Sequence, residues 1–309
     1  MILDHSSHNS TRQVLEALIQ DPGSVLAVIS GVEGPSYRPK GAMMAVLDGG
    51  RRVGSLSSGC IEADISRQAE AARDAGVPRS VRYGAGSPFV DIALPCGGGL
   101  DILLVPEPDR TVLKAALDHH ASRRALTLWV DPGTGQMSLE GAAVGPGGLS
   151  ILIEPELRFV VFGKGPEACA FSALVQSVGY PNLLVSPDDE SRAVAGAAGC
   201  ETRPIDLPAF PSDLSVDART AIVLFFHDHD WEPPILDGAL GTDAFYIGAQ
   251  GSWNAREARL ASLRALGQTE DALARLYGPV GVIPSARDAR TLAVSVLAEI
   301  LGKALVRDQ

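Results

Sequence analysis

The stretch RFVVFGKGPEACA (158–170) decides the fold of the second half of this chain. Phe159, Val160, Val161 and Phe162 form an unbroken apolar run, as expected of a strand covered on both faces. Gly163-Lys164-Gly165-Pro166-Glu167-Ala168 follows as a G-x-G-x-x-A turn opening a helix (166–179), and Pro166 suits the first helical position. In such a turn Gly163 allows a tight bend, Gly165 lets a phosphate approach the backbone, and Ala168 lets helix and strand pack closely. The free N–H groups and the helix dipole favour an anion there, although the same residues also serve as a plain packing turn.

Outward from that turn, strands alternate with helices. NLLVS (182–186) reads as the second strand, DESRAVAGAAG (189–199) as a short helix and ETRPID (201–206) as the third strand. TAIVLFF (220–226) and AFYIGA (244–249) are further strands. Helices are expected over 252–267, 269–278 and 285–306. The alternation implies an α/β, doubly wound parallel sheet with right-handed crossovers. An acid that binds a ribose should close the second strand. Ser186 stands there instead, with Asp188 and Asp189 only beyond Pro187, so NAD specificity is not supported.

The first half reads as α+β. A helix (12–20) leads to the strand SVLAVIS (24–30), a Gly/Pro loop (31–41) and a hairpin (42–57) about Asp48-Gly49-Gly50. A turn and helix follow (57–76), then a strand near Ser80–Tyr83 and a strand pair around 89–105 broken by Pro95-Cys96-Gly97-Gly98-Gly99. A helix (110–124) and LTLWV (126–130) complete it. The Gly/Pro-rich stretch 131–150 reads as a seam, which divides the chain into an α+β domain (1–152) and a Rossmann-like domain (153–309).

Composition bounds the function. In 309 residues, 46% are hydrophobic and 20% charged, enough apolar material for real cores. The net charge of −11 argues against a basic nucleic-acid or membrane face. Mean hydropathy is only +0.13, and no apolar run reaches the roughly 18–20 residues of a membrane span. The first residues lack the pattern of a secretion signal. Four cysteines without C-x-x-C spacing fit a reducing cytoplasm.

Several loops carry reactive side chains. Phe226-His227-Asp228-His229-Asp230 and Gly248-Ala249-Gln250-Gly251-Ser252 both leave strand ends, as does the 163–168 turn, so the three should line one crevice. His227 and His229 suit a metal, a proton transfer or a hydrogen bond to a ligand, and equally a polar turn. In the first half, Cys60 follows Gly59 near a helix start, where the dipole favours a thiolate. Cys96 precedes Gly97, Gly98 and Gly99, which leave the backbone bare to a ligand. Both cysteines also suit the role of small buried hydrophobes, the reading given to Cys169 and Cys200. Arg38 and Lys40, between Pro and Gly, form a cationic loop able to hold a phosphate or carboxylate.

GPSYRPKGAMMAV, VGSLSSGCIEADI and LPCGGGLDILLVPEP resemble, in order and spacing, signature segments of the xanthine dehydrogenase accessory protein (XdhC/CoxI) family. VVFGKGPEACA, FFHDHDWEPPIL, YIGAQGS and LAVSVLAEI resemble that family's C-terminal Rossmann-like domain. The resemblance implies a maturation factor rather than a turnover enzyme: one that binds molybdenum cofactor, supports its sulfuration with a cysteine desulfurase, and inserts it into an apo molybdenum hydroxylase such as xanthine dehydrogenase. It also implies a homodimer. The residues it points to are Arg38, Gly59, Cys60, Cys96 and Gly97, together with Gly163, Gly165, His227, His229, Gly251 and Ser252. Cys60 and Cys96 would meet molybdenum or carry sulfur to it, and the Rossmann turn would take a nucleotide or dinucleotide part, with the cofactor lying between the domains. The chain departs from the family pattern at Lys164 and Pro166, at Ser58, and at Trp253-Asn254, while Arg259 matches a later arginine. Two rivals are an NAD(P)-dependent oxidoreductase and a ligand-free scaffold bridging desulfurase and target.

Overall fold

In a computed structural model, residues 10–57, 59, 61–87, 94, 97–140, 147–228 and 230–307 are described. The chain divides into two compact units, Met1–Pro155 and Glu156–Gln309.

The first unit is built on an antiparallel sheet of β1 (Val25–Glu33), β2 (Met43–Val46), β3 (Arg52–Val53), β4 (Arg79–Gly84) and β5 (Gly99–Pro106), in the order β3-β2-β1-β5-β4. The expected hairpin is present: β2 and β3 pair across Asp48–Gly50. Alternation along β1 explains its apolar run. Val25, Ala27 and Ile29 pack on Ile65, Ala69 and Ala72 of α2 (Glu62–Ala75). Leu26 and Val28 face the other way, toward Leu15 and Leu18 of α1 (Thr11–Gln20) and Leu113 and Ala116 of α3 (Arg110–Ala121). Burying one such large aliphatic side chain contributes about 1.5–3 kcal/mol, so a strand covered on both faces needs no polar alternation.

That second face also meets a small sheet of β6 (Leu126–Val130), β7 (Met137–Ser138) and β8 (Leu149–Ile153), ordered β7-β6-β8. The Gly/Pro-rich seam at 131–150 thus contains a strand. Asp131 explains the local bend, because its Oδ1 accepts the N–H groups of Gly133 (2.7 Å) and Thr134 (3.0 Å).

The second unit holds a six-stranded parallel sheet: β9 (Arg158–Gly163), β10 (Asn182–Ser186), β11 (Glu201–Pro204), β12 (Thr220–Phe225), β13 (Tyr246–Ala249) and β14 (Leu276–Tyr277). Its order is β11-β10-β9-β12-β13-β14, the 3-2-1-4-5-6 arrangement of a dinucleotide-binding fold. Phe159 and Val161 pack on α4 (Pro166–Ser177) and α9 (Ala289–Arg307). Val160 and Phe162 pack on α6 (Glu232–Leu240) and α7 (Trp253–Ala265). α5 (Asp189–Ala197) connects β10 to β11.

Two expected helices end differently. The segment 269–278 holds only α8 (Glu270–Ala274) before turning into β14. Arg275 forces that turn, since its guanidinium donates to the carbonyls of Leu240 (2.7 Å), Thr242 (2.8 Å) and Ala244 (3.0 Å) and draws the chain onto the sheet edge. The last helix begins at Ala289 rather than Ser285, because Asp288 Oδ1 accepts the N–H groups of Arg290 (3.1 Å) and Thr291 (3.0 Å) and fixes the start. No helix among the described residues is long and apolar enough to cross a membrane.

Candidate functional site

In the second unit a cavity of about 430 Å³ lies beyond the carboxyl ends of β12, β13 and β14. Each of the three loops read from the sequence reaches it. The 163–168 turn contributes Glu167, the 226–230 loop Phe226 and His227, and the 248–252 loop Gln250, Gly251 and Ser252. His227 Nε2 lies 3.3 Å from Glu167 Oε2, bridging the ends of β12 and α4 at the rim. His229 lies outside the described residues. Among the described residues no group of three or more His, Cys, Asp or Glu has the arrangement of a metal site.

A buried ion pair holds the floor. Arg259 on α7 is 3% exposed, and its Nε and Nη2 both donate to Glu232 Oε2 (3.0 and 2.9 Å). Nη2 also donates to the Gln250 carbonyl (2.7 Å), so the β13–α7 loop is clamped from below. The Gln250 side chain in turn donates from Nε2 to the Phe226 carbonyl (3.3 Å), and Phe226 stacks on Trp231 with ring centroids 5.6 Å apart. Gly251 has φ +139°, and Ser252 caps α7 by accepting the Ala255 N–H at 3.2 Å.

Gly163 and Gly165 lie off this lining. A Cβ on Gly163 would stand 2.5 Å from the Phe225 carbonyl oxygen, so this glycine serves the close approach of β9 and β12. Gly165 has φ +83° and ψ −171°, a conformation nearly restricted to glycine, and its N–H donates to Ser191 Oγ at 2.8 Å. Ser191 is itself held by Asp188, whose Oδ2 accepts the Ser191 N–H (2.8 Å) and hydroxyl (2.5 Å). Those bonds keep the Asp188 carboxyl below the usual carboxylate range. Cys169 donates its S–H to the Ser191 carbonyl (3.5 Å), and Cys200 packs in the core; burial raises both thiols.

In the first unit the loops around Arg38, Gly59 and Gly97 are described, while Cys60 and Cys96 lie outside the described residues. Arg38 is half-buried, its backbone N–H donating to Ser36 Oγ (3.3 Å) and its carbonyl accepting the same hydroxyl (2.7 Å). Gly98 presses on that loop so closely that a Cβ would stand 2.2 Å from the Pro35 carbonyl oxygen. Gly97 donates its N–H to the Leu94 carbonyl (2.9 Å).

Glu62 organises the turn before α2. Its Oε1 accepts the Ser55 hydroxyl (2.7 Å) and the N–H groups of Leu56 (3.1 Å) and Ser57 (2.8 Å). Its Oε2 accepts the Ser57 hydroxyl (2.7 Å) and the N–H groups of Gly59 (2.9 Å) and Ile61 (3.2 Å). Burial alone would raise its pKa, but these bonds outweigh it and lower the carboxyl to about 2. At the far end of β4, Tyr83 donates its hydroxyl to Asp64 Oδ2 (2.7 Å).

Residues 159–300 match the XdhC Rossmann domain and residues 20–84 the XdhC and CoxI family. Over 302 aligned residues the chain is 32% identical to the molybdenum cofactor insertion chaperone PaoD of Escherichia coli K12, covering 96% of this chain and 89% of that protein. The chain belongs to the XdhC/CoxI family. It is also 26% identical to a probable xanthine dehydrogenase component of Bacillus subtilis 168, over 93% of this chain and 96% of the other. A crystal structure of a xanthine dehydrogenase from Bacillus halodurans shares the fold, with a TM-score of 0.79 over 97% of both chains at 24% identity.

Two features of this XdhC-family chain escaped the sequence reading. One is the wall of the cavity formed by 279–288, which the sequence presents only as a Gly/Pro-punctuated run before a helix (Gly278, Pro279, Gly281, Pro284). The other is Glu62, which looks like an ordinary acid in a first helical turn. A cluster of Ser and Gly just upstream was the available signal, since such residues supply N–H and O–H donors to a carboxylate.

Proposed function

We propose that this chain is a molybdenum cofactor insertion chaperone. It holds the cofactor as cargo, supports its sulfuration with sulfur supplied by a cysteine desulfurase, and delivers it to an apo molybdenum hydroxylase of the xanthine dehydrogenase type. The observation that carries this reading is the similarity to PaoD along nearly the whole chain. The second unit adds a cavity whose volume, about 430 Å³, falls within the roughly 300–1,000 Å³ of small-molecule sites. The loop cysteines Cys60 and Cys96 are assigned the soft-ligand or sulfur-carrying role, and Arg38 the pairing with an anionic oxygen. The protein acts as a cytoplasmic homodimer in this reading.

A nicotinamide-dependent oxidoreductase is the weaker reading. The strand order favours it. Three residues weigh against it: Ser186 closes the second strand, Asp188 is spent on capping α5, and the Gly165 N–H is taken by Ser191.

Purification without oxygen, followed by molybdenum and pterin analysis and by transfer to an apo-hydroxylase, tests the proposal. Wild-type protein should carry or transfer the cofactor, and the double change Cys60→Ala with Cys96→Ala should reduce retention or delivery. Unchanged transfer by that variant removes the thiol role. Absence of cofactor binding, together with saturable NADH or NADPH binding, would replace the chaperone reading by the oxidoreductase one.

A further inference from the structure

The cavity belongs to one half of the sheet. Its walls come from the loops after β12, β13 and β14, and only Glu167 is drawn from the turn after β9. In a 3-2-1-4-5-6 sheet a dinucleotide spans both halves, with one nucleotide over strands 1-2-3 and the other over 4-5-6. Here the first half is closed on itself. The Gly165 N–H that would face a phosphate donates to Ser191 Oγ, Asp188 holds Ser191, and Arg192 Nη1 donates to the Ser186 carbonyl (2.6 Å) at the strand end where a ribose would bind.

Among the described residues, the charged side chains of the cavity lining are two carboxylates that each have a partner, Glu167 and Asp288, and one cation that has none. Glu167 and His227 face each other at 3.3 Å. Asp288 directs its carboxylate to the first turn of α9, where the helix dipole offsets it. The remaining charge is Arg287, exposed on the wall, whose guanidinium has no ion pair or hydrogen bond among the described residues. The rest of the lining includes the apolar residues Phe226, Val280, Ile283 and Leu292 and the polar Gln250 and Ser252.

The wall that carries Arg287 is fixed in place. Ser295 on α9 accepts the Ile283 N–H on Oγ (2.7 Å) and the Val282 N–H on its carbonyl (3.3 Å). Glu299, one turn further, accepts the Gly281 N–H on Oε2 and the Tyr246 hydroxyl on Oε1 (2.9 Å). A preformed site of this kind loses less ordering entropy on binding than a mobile loop.

From this we infer that the second half of the sheet alone takes one phosphate-bearing heteroaromatic unit of mononucleotide size, with its ring against the exposed side chain of Ile283 and its phosphate on Arg287. This deepens the chaperone proposal and rests on it for the identity of the cargo: the pterin head with its phosphate is such a unit, and a dinucleotide laid across the sheet is not.

GMP and guanosine, a fused heterocycle with and without phosphate, are suitable probes for calorimetric titration of the full chain. Wild-type protein should bind GMP at one site and guanosine about tenfold or more weakly. Arg287→Glu should remove that difference by weakening GMP alone, and Arg287→Lys should restore part of it. Lys164→Ala, on the first-half turn, should leave GMP binding within about twofold. NAD should bind no more tightly than GMP. Equal loss in Lys164→Ala, no phosphate preference in wild type, no saturable GMP binding, or NAD binding tighter than GMP overturns the inference. The two readings fail separately. Molybdenum co-purification that survives Arg287→Glu keeps the chaperone and removes this site, whereas Arg287-dependent GMP binding without any molybdenum keeps the site and removes the cargo.

Discussion

Ser57 engages both oxygens of Glu62: its N–H donates to Oε1 at 2.8 Å and its hydroxyl to Oε2 at 2.7 Å. With Ser55, Leu56, Gly59 and Ile61 donating to the same carboxylate, the turn before α2 is wound around one negative charge. The folded-state pKa is lowered from 4.5 to about 2, so the stabilisation is fully present above pH 4.5 and is lost as pH falls toward 2. Its size by linkage is on the order of 3 kcal/mol. Acid unfolding followed by circular dichroism should therefore show a transition in that window for wild type. In Glu62→Gln the neutral-pH stability should fall by about 2–4 kcal/mol and the acid dependence should flatten. An unchanged acid profile in the variant would contradict this account.

The Arg259–Glu232 pair supports the cavity floor from inside the core, at 2% and 1% side-chain exposure. Removing one member of a buried pair leaves an uncompensated charge and costs about 3–5 kcal/mol. Arg259→Met should lower stability by that amount in urea unfolding. Arg259→Lys should recover little, because an ammonium cannot reproduce the fork that reaches both Glu232 and the Gln250 carbonyl. Full rescue by lysine would show that charge alone matters.

The two glycines of the β9–α4 turn should fail differently. Gly163→Ala places a methyl 2.5 Å from the Phe225 carbonyl oxygen, and β9 and β12 must separate to admit it, at about 3 kcal/mol or more. In Gly165→Ala the nearest atom, Glu167 Oε2, is 3.9 Å away, and only the strained backbone costs about 1–3 kcal/mol. Urea midpoints of the two variants decide the order, and a larger loss at Gly165 would refute it.

Ser295→Ala takes away the hydroxyl that accepts the Ile283 N–H, while its backbone carbonyl still holds Val282. Amide hydrogen exchange at Ile283 should quicken by the equivalent of about 1–2 kcal/mol, with β9 and β12 amides unaffected. Faster exchange throughout the sheet would mean that Ser295 acts on the whole core instead.

Most of the second unit was readable in advance because its strands are covered on both faces, which leaves runs such as Phe159–Phe162 and Ala221–Phe226 with no polar interruption. The hairpin at Asp48–Gly50 and the helix stop at Gly76, with φ +66°, were readable because glycine marks positive φ. What escaped was non-local. Arg275 ends α8 by bonds to residues more than thirty positions earlier, and nothing in 269–278 announces them. The small strands β7 and β8 gain their place from the pairing with β6 and from the core face they cover, not from propensity. Of the candidate site, Gly251, Ser252 and His227 line the cavity, whereas Gly163 and Gly165 serve the packing of the turn. Arg287 was invisible because its loop looked like the start of a helix.

Glu299 joins a loop, a helix and a strand through two oxygens, one toward Gly281 and one toward Tyr246. Tyr246 in turn lies face to face with Tyr277, 4.6 Å between centroids, and Lys303 covers that ring. The seat of the 279–288 wall is thereby held by residues outside the cavity lining. A lineage adapting this scaffold to a bulkier passenger would have to change interior positions on α9 and β13 first, and substitutions at the rim alone would achieve little.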